Sequence, residues 1–110
     1  MTDHRLDVLA ALANEITERR AQSPEQSYTA KLLNQGVEKC AKKLGEEAVE
    51  TALAAVLRDK KHIAAESADL LYHLLVLLEA TEVPLADVMA ELARRQGVSG
   101  IIEKASRPRD

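Results

Sequence analysis

The residues from Leu70 to Leu78 form an almost unbroken apolar run, and this run most restricts how the 110-residue chain can fold. We predict a helix from Lys60 to about Thr81, with Asp59 as its N-cap. Leucines and a valine go nearly all the way round that helix, and such a helix must be covered on every side. A chain this short has few other helices to cover it. We therefore predict a homodimer with this helix at its centre.

The rest of the chain also has helical periods, with no strand-like alternation of useful length. The other predicted helices are the segments 3–20, 27–36, 37–57 and 84–97. Asp3 and Ser27 are the predicted N-caps of the first two. Residues 98–110 mix glycine, proline and charge, which predicts a loosely held tail. The predicted fold is all-α: a single domain over residues 1–110, built as an antiparallel bundle of four to five helices and completed by homodimerisation.

Two pairs of acidic residues suggest a metal site: Glu47 with Glu50, and Glu66 with Asp69. Within each pair the spacing is i,i+3, so the two carboxylates lie within about 60° of one another on a helix. Fifteen residues separate Glu50 from Glu66, enough to finish one helix, turn and begin an antiparallel partner. Four carboxylates could then converge, and a divalent cation is the usual reason to tolerate their repulsion. All-oxygen ligands favour Mg²⁺ or Mn²⁺ over Zn²⁺.

Basic residues around the acids are candidates for binding phosphate. Lys43, one turn before Glu47, is the best of them. The other candidates are Lys31, Lys42 and Arg94. No glycine pattern of a P-loop or Rossmann type offers a backbone phosphate cradle, so metal must take that role.

The histidines and one glycine have open interpretations. His62 and His4 are not expected near the acids at ligand spacing. His73, on a leucine-rich helix, is more often a core residue, with a place beside the metal ligands as the alternative. Gly45 lies inside a predicted helix, where glycine costs about 1 kcal/mol relative to alanine. It provides either close helix packing or room for a substrate.

Composition excludes several classes of partner. The net charge of −3 gives no general attraction to nucleic acid or to an anionic membrane. The longest apolar run is too short to span a bilayer. Cys40 is the single cysteine, so it cannot form an intramolecular disulfide and is expected to be a small buried hydrophobe. We expect a cytoplasmic protein that binds neither nucleic acid nor membrane.

The residues around the acids resemble the MazG-like superfamily of all-α NTP pyrophosphohydrolases. Within it, the chain is similar to the phosphoribosyl-ATP pyrophosphohydrolase family of histidine biosynthesis over nearly its whole length. The segments that carry the likeness are Ser27–Thr29, Lys42–Glu50, Ala68–Leu74, Ser99–Gly100 and Glu103–Arg107. Leu44 stands where the family usually has valine before the glycine, which is a conservative difference.

The resemblance implies hydrolysis of phosphoribosyl-ATP to phosphoribosyl-AMP and pyrophosphate, cut between the α- and β-phosphates. Matched residue by residue, the implied metal ligands are Glu47, Glu50, Glu66 and Asp69. Glu46 and Glu47 are the implied catalytic carboxylates. Mg²⁺ is the implied cofactor, with Mn²⁺ as a substitute, and the chain would be the stand-alone form of the enzyme.

Two other functions remain compatible with the same residues. The acids alone fit a house-cleaning pyrophosphatase that acts on free or non-standard nucleotides. They also fit a non-catalytic helical module for dimerisation or metal binding, in which the carboxylates would be dispensable.

Overall fold

The computed structural model describes residues 4–108, and its regular elements in that range are all α-helices. They are α1 (Asp7–Arg19), α2 (Tyr28–Gln35), α3 (Val37–Val56), α4 (Lys60–Ala80), α5 (Leu85–Arg95) and α6 (Gly100–Ala105). The all-α prediction is confirmed, but six helices exceed the four to five predicted. The predicted N-cap Asp3 lies outside the described residues. None of the helices within residues 4–108 has both the length and the hydrophobicity that crossing a lipid bilayer requires.

Local side-chain chemistry explains where the central helices begin. Ser27 Oγ accepts a hydrogen bond from the backbone N–H of Ala30 at 3.1 Å, which caps α2. Asp59 caps α4 in the same way, by accepting from the N–H of His62 at 3.2 Å. Gly36 separates α2 from α3 with a φ of 96°, a backbone conformation that side chains disfavour. Gly36 and the Asp59 cap thus set the starts of α3 and α4, the two helices that carry the acidic residues.

The core lies where α1 to α4 meet. Its buried side chains are Ile16, Leu32, Cys40, Leu75 and Val76. The expected burial of Cys40 is confirmed: it is fully buried, and its thiol donates to the carbonyl of Leu32. This core contains one to two residues from each of the four helices, so it holds the antiparallel α3–α4 pair against α1 and α2.

The leucine-rich helix α4 is not fully covered within the chain. Val76 is fully buried and Leu75 nearly so, but Leu71 is 45% exposed. Apolar side chains on the outer side of α3 are more exposed than those of α4, because Val49, Leu53 and Val56 are all more than half exposed. A single copy of the chain therefore leaves much of the apolar surface of α3, and a smaller part of that of α4, open to water.

The short helix α6 was not predicted. Ser99 Oγ caps it by accepting from the N–H groups of Ile101 and Ile102. Glu103 is buried and accepts hydrogen bonds from Arg94 on α5, at 3.0 Å, and from Arg107, at 2.8 Å. The Ser99 cap is a local signal in the sequence that was overlooked, whereas the Glu103–Arg94 contact joins two separate helices and has no local pattern. That the tail is loosely held stays a prediction.

Acid should detach α6 from α5. The hydrogen bond from Arg107 is the main cause that lowers the pKa of Glu103 below its ordinary value of 4.5, and Arg95 and Arg94 lower it further. Ionised Glu103 therefore stabilises the contact between α6 and α5 above pH 4.5, and this stabilisation is lost as the pH falls below that value. NMR amide signals of Ile101 and Ile102 should move to random-coil positions over that range. Signals that stay in place down to pH 2 would contradict this anchor.

Candidate metal centre

Three carboxylates converge between α3 and α4. Glu47 lies on α3, and Glu66 and Asp69 lie on α4, with one oxygen from each within 4.8 Å of the others. The two helices are joined by a short turn, so they run antiparallel and bring distant acids to the same level. The side chains of Glu47 and Glu66 are only 12% and 17% exposed, whereas Asp69 is exposed. The trio therefore has a buried inner side and one ligand facing solvent.

A threonine hydroxyl joins the two helices at this level. Thr51 Oγ1 lies 2.8 Å from the carbonyl oxygen of Glu47 and 3.1 Å from that of Glu66, and it donates to both. The i−4 bond to Glu47 satisfies the hydroxyl within α3, and the second contact reaches across to α4. Thr51 thus holds the backbone of two of the three acids in a fixed relation.

Two carboxylate oxygens of this site have no hydrogen-bond partner among the described residues. These atoms, Glu47 Oε2 and Glu66 Oε2, are both buried. The pKa of Glu47 is raised, first by burial, then by the charge of Glu50, with smaller effects from Asp69 and Glu66. Buried unpaired carboxylates cost free energy unless a cation or a proton neutralises them. The oxygen-only donor set and its orphaned atoms fit a hard divalent cation such as Mg²⁺ or Mn²⁺.

Glu50 and Glu46 lie at the edge of the trio. Glu50 is exposed and falls outside the three converging oxygens, although its charge is close enough to raise the pKa of Glu47. Glu46 is exposed as well, and its carboxylate lies 3.9 Å from the ammonium of Lys43. Both carboxylates therefore lie on the solvent side of the trio.

Two histidines flank the acids, and the expectation for one of them was wrong. His62 Nε2 lies 3.4 Å from Glu66 Oε1, although His62 was not expected near the acids. The i,i+4 spacing on one helix is the sequence signal that was overlooked. His73 is buried, with Nε2 3.9 Å from Glu47 Oε1. Burial lowers the pKa of His73, and the nearby charge of Lys43 lowers it further, which favours the neutral ring.

The predicted phosphate-binding residues occupy different surroundings. Lys43 is half-buried beside Glu46 and His73. Lys31 and Lys42 are exposed on α2 and α3. Arg94 lies on α5, where its guanidinium binds Glu91 and Glu103. Among these candidates, Lys43 is therefore the one that interacts with residues of the metal centre.

A separate cleft of about 440 Å³ lies at the other end of α4, between α1 and the start of α5. Its walls are mostly apolar, and its acidic residue, Glu79, is bound by Thr17 and by Arg20. Because that carboxylate already has partners, the cleft lacks the free charges that the α3–α4 site has.

The fold and the site define a class: an all-α protein with a carboxylate centre suited to a hard divalent cation. Comparison with known proteins narrows the class. The profile of the phosphoribosyl-ATP pyrophosphohydrolase family matches residues 9–96. A phosphoribosyl-ATP pyrophosphatase of Dinoroseobacter shibae is 56% identical over 93% of this chain and 100% of its own length. Proteins of the same name from Novosphingobium aromaticivorans and Agrobacterium fabrum are 54% and 53% identical, over 92% and 91% of this chain and 94% of their own lengths.

The chain belongs to the phosphoribosyl-ATP pyrophosphohydrolase family. The family predicted from the residues around the acids is thereby confirmed, and so is the class of enzyme, a hydrolase.

Proposed function

We propose that the chain hydrolyses phosphoribosyl-ATP to phosphoribosyl-AMP and pyrophosphate in histidine biosynthesis, with Mg²⁺ or Mn²⁺ as cofactor. One observation carries this proposal in a member of this family: three carboxylates converge and two of their buried oxygens have no partner among the described residues. A site built only to stabilise the fold would pair those oxygens with donors. A site built to hold a cation and a polyphosphate would leave them free.

The residues of the centre have proposed roles that follow from their positions. Glu47, Glu66 and Asp69 would hold the cation, and Glu50, beside Glu47, is the proposed fourth ligand. The bound cation would offset the charge of the phosphates and polarise the bond that is cut. The hydrogen bonds from the Thr51 hydroxyl to the backbone carbonyls of Glu47 and Glu66 would hold these two residues in position relative to one another while the ligand binds. The cluster therefore positions the α–β phosphate bond against α3 and α4.

The residues proposed for proton transfer and for phosphate binding lie mainly on the exposed side of α3. Glu46 is the proposed acceptor of the proton that water loses as the bond is cut, and Glu47 is the alternative acceptor. Lys43 is the proposed phosphate ligand, because it is half-buried next to Glu46 and His73. Lys31, Lys42 and Arg94 remain proposals, and Arg94 has the least support because Glu91 and Glu103 already bind it.

We also propose that the working form is a homodimer. The exposed apolar side chains Val49, Leu53 and Val56 share the outer side of α3, where Gly45 has open space around its Cα. The Cα radius of gyration is 16.0 Å, whereas a compact chain of 100 residues has about 13 Å. A second copy packed on α3 would bury this stripe, and Gly45 would allow the close approach of that copy.

Two further statements are proposals as well: that residues 1–110 form a single domain, and that the protein is cytoplasmic.

Pyrophosphate release from phosphoribosyl-ATP, ATP and dUTP, measured side by side with Mg²⁺, tests the function. We expect strong preference for phosphoribosyl-ATP and no release after chelation of the metal. Preference for ATP or dUTP would replace the proposal with the house-cleaning activity at the same site. Folded protein that turns over none of the three would favour the non-catalytic module.

A further inference from the structure

Both tyrosines of the chain meet at the edge of the metal centre, and the chain has no Phe or Trp. Tyr28 is the first residue of α2, and Tyr72 lies in α4. Their ring centroids are 6.5 Å apart and their planes differ by 20°, so the rings are stacked. In a core made of aliphatic side chains, this stacked pair is the sole concentration of Phe, Trp or Tyr rings.

His73 connects this pair to the acidic trio. Its ring lies edge-on to both tyrosines, with centroid distances of 6.3 Å to Tyr28 and 4.9 Å to Tyr72. The Nε2 atom of the same histidine lies 3.9 Å from Glu47 Oε1. A single side chain therefore separates the ring of Tyr28 from a predicted metal ligand.

The two tyrosines differ in exposure. Tyr72 is half-buried, burial raises its pKa, and its hydroxyl is hydrogen-bonded to Thr29 Oγ1. Tyr28 is 53% exposed, and no hydrogen bond to its hydroxyl is found among the described residues. A tyrosine present only to fill the core would bury its ring and satisfy its hydroxyl. Tyr28 instead stacks one face of its ring on Tyr72 and leaves much of the rest of its side chain exposed to solvent.

The position of Tyr28 is also held firmly. The preceding residue, Ser27, is buried and caps α2, and the following residue, Thr29, is buried and bonded to Tyr72. The backbone on both sides of Tyr28 is thus anchored while its side chain remains accessible. An exposed ring on a fixed backbone binds a flat ligand with little loss of conformational entropy.

We propose that Tyr28 is the platform on which the nucleobase of the substrate stacks, with Tyr72 and His73 supporting it from behind. The proposal rests on the proposed function, which supplies a nucleotide as ligand. The carboxylate centre and Lys43 would receive the polyphosphate, and Tyr28 would receive the base, which the ribose of the ATP portion separates from the polyphosphate. Stacking of a base on an aromatic ring changes affinity by about fivefold to 150-fold.

Calorimetric titration with AMP and with ribose 5-phosphate, in the presence of Mg²⁺, tests the platform without requiring turnover. Ribose 5-phosphate keeps the sugar and phosphate of AMP but lacks the base. Tyr28→Leu should weaken AMP binding by about fivefold to 150-fold and leave ribose 5-phosphate binding unchanged. Tyr28→Phe, which keeps the ring, should bind both ligands as the unaltered protein does. In steady-state assays Tyr28→Leu should raise KM and leave kcat nearly unchanged.

Several results would overturn the platform, and each can be told apart from failure of the proposed function. Unchanged AMP affinity in Tyr28→Leu, or no AMP binding by the unaltered protein, would overturn the platform. Equal loss of AMP and ribose 5-phosphate would overturn it as well, since the effect would not depend on the base. Loss of the dimer on a sizing column with AMP affinity intact would assign the exposed ring to subunit contact instead. Failure of the proposed function appears separately, as absence of pyrophosphate release from phosphoribosyl-ATP by the unaltered protein.

Discussion

Glu47→Gln should abolish turnover while making the fold more stable. Burial and the charges of Glu50, Asp69 and Glu66 raise the pKa of Glu47, so its ionised form is disfavoured in the folded chain. An amide of the same shape removes that repulsion but is a poor ligand for Mg²⁺. Active sites commonly show this opposition between stability and activity.

The loss of activity should be large. A catalytic cation stabilises a phosphoryl-transfer transition state by several kcal/mol, so weakening its site should reduce kcat/KM about a thousandfold or more. Pyrophosphate release measures the activity, and thermal unfolding followed by circular dichroism measures the stability. Near-normal turnover in Glu47→Gln would remove Glu47 from the proposed ligands.

Glu103→Gln provides the matched control. Glu103 is also a buried glutamate, but arginine partners lower its pKa, so its charge stabilises the fold. Neutralising it should lower the melting temperature, opposite in sign to Glu47→Gln. If both substitutions shifted the melting temperature in the same direction, the two carboxylates would not differ in the way their surroundings indicate.

The features that were predictable from the sequence depend on neighbours along the chain. Ser27 and Asp59 were correctly predicted as N-caps because a capping side chain bonds a backbone N–H only three residues away. The acidic pairs were visible because i,i+3 spacing reports one helical face. The spacing could not tell which member of a pair faces the partner helix. Glu47 turns inward and Glu50 outward, since residues three apart differ by about 60° around the axis.

The features that were not predicted are of two kinds. Two of them are contacts between residues of separate helices, and the third has a sequence spacing that was overlooked. The anchor of α6 pairs Glu103 with Arg94, and the aromatic pair brings Tyr28 onto Tyr72 across α2 and α4. No local pattern encodes either contact, because both depend on how the helices pack. His62 differs, since its contact with Glu66 has i,i+4 spacing within one helix and could have been predicted.

That a second copy of the chain covers α4 stays a prediction. An apolar helix was expected to be surrounded, and the described chain covers most of its leucine-rich run but leaves Leu71 45% exposed. The apolar run in the sequence indicated that a second copy was needed to bury α4, and the dimer contact was therefore predicted at α4 itself. The larger exposed stripe lies on α3, at Val49, Leu53 and Val56. The substitution that tests the dimer should therefore be made on α3.

Leu53→Glu should convert the proposed dimer to monomers. Leu53 is 59% exposed within the chain, so burying it in a dimer would contribute about 1–2 kcal/mol per copy. A symmetric interface contains the residue twice, and a buried unpaired carboxylate adds several kcal/mol more against association. We expect the dimer affinity to fall at least about a thousandfold. Size-exclusion chromatography with light scattering at micromolar concentration measures the change.

Leu53 is a sharper test than a leucine of α4. Leu74 is half-buried in the chain itself, so a charge there would disturb the fold as well as any interface. Val8→Glu on α1 introduces the same charge at a side chain that is 70% exposed, and it should leave the dimer intact. An unchanged dimer in Leu53→Glu would move the interface away from α3. Monomers that keep their helicity would establish that the α3 stripe joins two chains that each fold alone, whereas unfolded monomers would mean that the single-chain core is too small to stand without its partner.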